Sequence, residues 1–203
     1  MATVAATQLL FVDETSTPVT LTPLRARAPR GQRAVGSVPR GTRPHIAWLA
    51  TLTATGLGES LVVDGPVTGE VFATFVARVV APTLQPGQVV VLDNLSAHKS
   101  TRARAAVEAA GCHLVFLPSY SPDFNPIEHA FAKRKQALRR VEARSFETIV
   151  AAIGQVVPTI TAADARGFFA AAGFPPPMTQ LPRRALDRAV SRRPPGEQRK
   201  AKS

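Results

Sequence analysis

Short apolar runs bounded by turn residues recur along the first two thirds of the chain, and each predicts a strand. The runs cover residues 9–12, 46–53, 61–63, 89–92 and 113–117. Runs of this length, rich in Val, Ile and Leu and flanked by Gly, Pro or Asp, are typical of strands. The second and third runs are joined across a short turn, so we expect those two strands to pair antiparallel.

Helical spacing of apolar residues appears between these runs. One stretch, expected to be capped by Thr68, carries apolar residues at i, i+3, i+4, i+7 and i+8, namely Phe72, Phe75, Val76, Val79 and Val80. Ser96 is expected to cap a second helix, which Gly111 ends in a left-handed conformation. Because a helix connects the runs at 89–92 and 113–117, we expect those two strands to be parallel. The pattern predicts an α/β fold with a mixed sheet.

The last third predicts three further helices, beginning after Asn125, Ser145 and Thr161. Asn125 is expected to cap the first of them with its side chain. The third is expected to stop at Gly173. One domain is therefore expected to cover residues 1–174.

Composition adds a strong positive charge to this picture. The 203 residues carry 25 Lys and Arg against 14 Asp and Glu, a formal net charge of +11. This balance favours a polyanionic partner, most simply nucleic acid. The single cysteine, Cys112, excludes an intrachain disulfide framework and a cysteine-based zinc cluster. With no long apolar run and no signal-peptide pattern, we expect no membrane contact and a cytoplasmic location.

The basic residues are concentrated in three segments. Residues 17–45 contain six Arg, five Pro and no acid, which predicts an extended arm or loose hairpin, and residues 175–203 predict a basic, Pro-rich, disordered tail. The third segment follows Glu128 on the predicted helix of residues 126–141. A solvated surface is the ordinary interpretation, but we predict phosphate contacts by Arg25, Arg27, Arg30, Arg33, Lys133, Arg134, Lys135, Arg139 and Arg140.

Three acidic residues lie at the ends of predicted elements. Asp13 and Asp93 each follow an apolar run, and Glu128 falls in the first turn of a helix. Carboxylates converging from separate elements can bind two divalent ions about 3.5–4 Å apart, an arrangement that supports phosphoryl displacement. Each residue also has an ordinary explanation: Asp13 and Asp93 as turn residues, and Glu128 as half of a capping box. Glu14 is an alternative to Asp13.

Three sequence blocks carry a family resemblance: VDE at 12–14, VVLDNLSAHKS at 90–100 and FLPSYSPDFNPIEHAFAKRK at 116–135. They resemble the signature blocks of mariner-superfamily transposases, most closely the bacterial insertion-sequence branch, including the 34 residues between the second Asp and the Glu. The resemblance covers residues 9–174 and implies an RNase H-like DDE catalytic domain. It implies that Asp13, Asp93 and Glu128 bind two Mg²⁺ ions, with Mn²⁺ as a substitute, and catalyse DNA strand cleavage and strand transfer.

The resemblance also raises expectations about other residues and partners. Asn94 and His98 are candidates for contact with substrate phosphate or a metal-bound water, although a surface role is the favoured interpretation of His98; Asn125 would position Glu128. Expected partners are transposon-end and target DNA, a separately encoded N-terminal helix-turn-helix part and a second copy of the chain. A frameshift product or a truncated remnant are alternative origins. The competing functional hypothesis is a catalytically silent DNA-binding remnant or regulator of a full-length transposase.

Overall fold

The computed structural model describes residues 4–18, 27–35, 45–141 and 145–174. Within these residues, five strands form one sheet in the order β3-β2-β1-β4-β5. Their bounds are β1 Leu9–Pro18, β2 His45–Thr53, β3 Gly56–Asp64, β4 Val89–Leu92 and β5 His113–Phe116. The β1–β2 and β2–β3 pairs are antiparallel, whereas β1–β4 and β4–β5 are parallel. The predicted mixed sheet is therefore confirmed. The tail and most of the arm lie outside the described residues.

In the described part of the chain, five α-helices flank the sheet: α1 Gly69–Phe75, α2 Thr101–Ala109, α3 Ile127–Val141, α4 Phe146–Val156 and α5 Ala162–Ala171. The stripe predicted after Thr68 continues past α1 into a π-helical turn at Val76–Val80. Capping by Ser145 and Thr161 is confirmed. Capping by Ser96 was wrong, because Ser96–His98 forms a separate 3₁₀ turn and Ser100 accepts the hydrogen bond that caps α2.

The strands alternate their side chains between two apolar layers, as a period of two requires. In β1, Leu9 and Phe11 face the layer formed with α3, α4 and α5. Leu10 and Val12 face the layer formed with α1 and α2. Among the described helices, none is by itself long and apolar enough to cross a membrane; only the bent pair Phe146–Thr159 and Ala162–Ala171 meets the length and composition criteria.

Two strands are longer than their apolar runs. β1 continues from Val12 to Pro18 because its antiparallel partner β2 follows it to the end, while its parallel partner β4 stops pairing at Val12. The sequence predicted that Asp13 lies at the end of its strand, and this was wrong. Asp13 lies inside β1, at the first residue that is no longer paired with β4. The edge strand β3 begins at Gly56, before the apolar run at 61–63. The hydrophobic pattern did not predict this first part because its residues are mostly polar and exposed.

Candidate active site

The three predicted acids line one pocket of about 320 Å³. Asp13 and Asp93 come directly after Val12 and Leu92, which face each other in the parallel β1–β4 register. Glu128 lies in the first turn of α3, on the layer that covers the Asp13 face of the sheet. Residues 13, 93 and 128 are thus brought together by the sheet register and by the helix that follows β5.

The alternation of β1 separates Asp13 from Glu14. Asp13 lies on the same face as Leu9 and Phe11, toward α3, whereas Glu14 lies on the opposite face. Glu14 does not line the pocket of Asp93 and Glu128; it lines a second pocket with Ser16 and His45. Asp13, the predicted ligand, and its alternative Glu14 therefore occupy different environments.

Asp13 is held in a strongly desolvated position. Asp13 is only 5% exposed to solvent. Oδ1 accepts a hydrogen bond from the backbone N–H of Glu14 at 2.7 Å. Burial raises the pKa of the Asp13 carboxyl to about 8; the Glu14 backbone hydrogen bond opposes this shift, and the negative charges of Asp93, Glu14 and Glu128 add to it.

Asn125 contacts Asp13 rather than capping α3 with its side chain. Its Nδ2 donates to Asp13 Oδ2 at 2.8 Å, across 112 positions in the sequence. Its Oδ1 is buried and has no hydrogen-bond partner within the described part of the chain. The prediction that the Asn125 side chain caps α3 was therefore wrong, because its amide donates to Asp13 of β1 instead.

His98 is buried, so the favoured interpretation as a surface residue was wrong. Its Nδ1 hydrogen-bonds to Asp93 Oδ1, and its Nε2 to Glu14 Oε2 at 2.6 Å. The ring stacks on Phe72 with 4.1 Å between centroids. Burial alone lowers the pKa of His98, but the hydrogen bonds to Asp93 and Glu14 raise it to about 9. At neutral pH, His98 is therefore an imidazolium that lies between Asp93 and Glu14 and hydrogen-bonds to each with one ring nitrogen.

The loops after β4 and β5 are tied to each other at the pocket. Asn94 Nδ2 donates to Ser119 Oγ at 2.8 Å. Asp93 also accepts from the backbone N–H of Leu95 at 3.1 Å, as a turn-forming Asp does. The turn explanation of Asp93 and its place in the pocket are thus compatible.

Arg134 cannot contact DNA in this structure, which contradicts its predicted role. The side chain is fully buried, with its guanidinium 4.8 Å from the ring centroid of Trp48. Nη2 donates to Thr17 Oγ1 at 2.7 Å, while Nε and Nη1 have no hydrogen-bond partner among the described residues. Burial lowers the pKa of Arg134 to about 10, which leaves it charged at neutral pH.

The other predicted DNA contacts have mixed surroundings. Arg27, Arg30 and Arg33 are exposed. Lys133 pairs with Asp164 of α5, with Nζ 2.9 Å from Oδ2, so its charge is partly compensated. The two remaining helix residues with described side chains, Lys135 and Arg139, are half-buried. Arg25 and the side chain of Arg140 lie outside the described residues.

We expect Arg134→Met to leave the free energy of unfolding unchanged or to raise it by up to ~2 kcal/mol. Met keeps the aliphatic packing and removes a buried charge, which is often neutral or favourable. Chemical denaturation measures this difference. DNA affinity and its salt dependence should match the unaltered chain, whereas Arg30→Ala should reduce the salt slope by about 1. Weaker DNA binding by Arg134→Met would show that Arg134 leaves its buried position when the chain binds DNA.

The pocket has the ligand chemistry of a magnesium site. Its acidic groups are the carboxyls of Asp13, Asp93 and Glu128, and the unpaired Oδ1 of Asn125 adds a neutral oxygen. Mg²⁺ prefers oxygen ligands and usually keeps several waters beside one or two carboxylates. Within the described residues, no three Asp, Glu, His or Cys side chains form a ready-made cage for one ion. The donors therefore suit ions that are partly coordinated by water.

In the described part of the chain, a mixed five-stranded sheet lies between two helical layers, and Asp13 and Asp93 belong to two adjacent parallel strands, β1 and the end of β4. This arrangement defines the RNase H-like class of fold. Solved structures share it. The Mos1 strand transfer complex matches with a TM-score of 0.68 at 18% identity, over 82% of this chain and 52% of that chain. The catalytic domain of Mos1 mariner transposase matches with a TM-score of 0.60 at 14% identity, over 82% and 78%. The chain thus spans about half the length of the Mos1 chain in the strand transfer complex.

A family model described as DDE superfamily endonuclease matches residues 8–150, which is more than half of the sequence. The chain belongs to this family. No curated protein matches it. The matched segment contains all three pocket acids, together with His98 and Asn125.

Proposed function

We propose that this chain is the catalytic domain of a transposase of the insertion-sequence type, which cleaves DNA strands and joins them to a target. The observation that carries the proposal is the convergence of Asp13, Asp93 and Glu128 on one pocket in a member of an endonuclease family. Solved relatives of the same fold include a Mos1 paired-end complex with Mn and one with Mg. Transposon ends and target DNA are the proposed substrates.

Asp13, Asp93 and Glu128 are the proposed ligands of two divalent ions, Mg²⁺ or Mn²⁺. Bound ions would supply charge stabilisation for an in-line displacement at phosphorus. The protein positions the acids: Asn125 holds Asp13 Oδ2, and the exposed Glu128 approaches from the start of α3. Since burial raises the pKa of Asp13 to about 8, metal binding should release a proton and tighten as pH rises toward that value.

His98 and Glu14 are proposed as positioning residues for Asp93. The hydrogen bond from His98 fixes Asp93 Oδ1, and Glu14 fixes the other side of the His98 ring. Groups that orient metal ligands in this way affect metal affinity without touching the ion. Because the folded-state pKa of His98 is raised above its usual 6.5, this pairing stabilises the fold fully below pH 6.5 and is lost as pH rises through about 9.

His98→Gln is expected to weaken Mn²⁺ binding by ~10- to 100-fold, because Asp93 loses the group that orients it. Isothermal titration calorimetry, at a temperature where circular dichroism shows both proteins folded, measures the affinity. Glu14→Gln should change it in the same direction by less. His129→Ala removes a histidine that stacks on Phe168 outside the pocket and serves as the matched control. Unaltered Mn²⁺ affinity in His98→Gln would remove the positioning role.

DNA is proposed to approach along the exposed arginines of the arm, Arg27, Arg30 and Arg33. Phosphate contacts of this kind weaken steeply with salt. A separately encoded helix-turn-helix part and a second copy of the chain are the proposed partners for recognising transposon ends. A cytoplasmic, nucleoid-associated location follows from DNA as the substrate.

The proposal is tested by nicking of supercoiled plasmid. The chain is incubated with plasmid and Mg²⁺ or Mn²⁺, and the nicked form is quantified on agarose gels. The expected result is nicking that requires the metal and stops with EDTA. DNA binding without nicking under both metals would favour the catalytically silent remnant or regulator.

A further inference from the structure

Tyr120 has an unusual backbone at the edge of the candidate active site. Its φ is +58°, the only positive φ of a non-glycine residue in the described part of the chain. Aromatic residues rarely adopt this left-handed conformation, for which glycine or asparagine is far better suited. Strained residues of this kind concentrate at functional sites, where the surroundings retain them. A function of the tyrosine side chain would explain why glycine does not occupy this position.

The Tyr120 side chain makes no use of the core. It is fully exposed, although it is the only tyrosine of the sequence and lines the same pocket as the three acids. Leu95, itself half exposed, lines that pocket from the loop after β4. Of the large apolar side chains exposed on the described surface, these two belong to the pocket, whereas Val35, Phe124 and Val150 lie outside its lining.

The two side chains are carried by loops that are fixed to each other. Asn94 and Ser119, the residues immediately before Leu95 and Tyr120, share the 2.8 Å hydrogen bond between their side chains. This bond links the loop after β4 to the loop after β5, one residue before each member of the exposed pair. Leu95 and Tyr120 are therefore presented as a preset apolar pair, which we name the rim pair, beside the carboxylates.

We propose that the rim pair is a binding site for one unstacked nucleobase of the DNA strand whose phosphate lies at the carboxylates. This rests on the proposed function for the position of the phosphate. A base has a flat apolar face, and aromatic side chains bind such faces with little dependence on sequence. A base within a duplex has both faces covered, so the bound base must be displaced from the stack or lie in a single strand. Tyr120 would provide the stacking face and Leu95 an apolar contact.

The test compares two probes of equal charge: a DNA duplex with a short overhang of thymidines, and the same duplex with an abasic overhang. Binding is measured by fluorescence anisotropy with Ca²⁺ present. The chain is expected to bind the thymidine overhang ~5- to 140-fold more tightly, the equivalent of roughly 1–3 kcal/mol of stacking. Tyr120→Ala should bind both probes equally, while Tyr120→Phe and the control Val150→Ala should keep the preference. Equal binding of both probes by the unaltered chain, or a preference that survives in Tyr120→Ala, would overturn the proposal.

Tyr120→Gly provides an independent readout of the strain. Glycine adopts this φ freely, and relief of the strain is expected to outweigh the conformational entropy that glycine adds to the unfolded chain, so the Tm should rise by about 1–3 °C while the preference for thymidine is lost. A Tm that falls in both Tyr120→Gly and Tyr120→Ala would mean that the side chain stabilises the fold, and would overturn the inference that it is retained for a ligand. These experiments measure binding and stability, not cleavage. Absence of nicking would therefore contradict the proposed catalytic function but would not decide whether the rim pair binds a base.

Discussion

Glu128→Gln is expected to reduce metal-dependent nicking by at least ~10³-fold, about 4 kcal/mol of transition-state stabilisation. The amide keeps the size of the side chain and removes the negative charge that would bind a divalent ion. Glu128 is exposed, so the Tm and the DNA affinity should remain those of the unaltered chain. Asp93→Asn is expected to reduce nicking to a similar extent. The rate of conversion of supercoiled to nicked plasmid measures both effects.

Asp123→Asn is the matched control for this experiment. Asp123 is an exposed acid that precedes α3 but does not line the pocket. Its replacement should leave nicking within about twofold, as expected for a surface substitution away from the site. Nicking by Glu128→Gln at the rate of the unaltered chain would mean that the acids are not the catalytic groups, and that a contaminating nuclease or another site produces the cleavage.

Phe11→Ala is expected to lower the free energy of unfolding by about 3–5 kcal/mol, the usual cost of removing a buried phenylalanine. Phe11 lies in β1, two residues before Asp13, and its ring meets those of Phe169 and Phe174 edge-on, at 5.4 and 5.3 Å between centroids. The loss would uncouple the end of the α5 layer from the central strand. At roughly 2–4 °C per kcal/mol, the Tm should fall by ~6–20 °C.

Differential scanning calorimetry measures this change, with Val150→Ala as the control. Val150 is partly exposed on α4, and its truncation should alter stability by no more than about 0.5 kcal/mol. An equal effect of the two substitutions would show that the three-ring cluster does not hold the helical layer on the sheet.

Much of the site was predictable because its residues follow local patterns. The apolar runs before Asp13 and Asp93 mark strands, and Asn-Pro before Glu128 marks a helix start. The choice between Asp13 and Glu14 was not local: it required β1 to continue past its apolar run, so that alternation places the two acids on opposite faces.

Two other residues illustrate different limits. His98 is buried by contacts with Glu14, 84 positions earlier, and with Phe72 of α1, which no local pattern encodes. Arg134, by contrast, had a readable signal. It lies at helical spacing from Ile127, Phe131 and Leu138, which form the buried face of α3. The prediction of a DNA contact gave more weight to the positive charge than to this spacing.

Every catalytic prediction depends on the joint binding of divalent ions by Asp13, Asp93 and Glu128. The most direct measurement is the anomalous scattering of Mn²⁺ in crystals soaked with MnCl₂. We expect anomalous density between these three side chains, with carboxylate oxygens about 2.0–2.3 Å from the metal, and no such density in crystals of Asp93→Asn. Ordered crystals with no manganese at this pocket, or with manganese only elsewhere on the molecule, would show that the three acids are not the metal ligands.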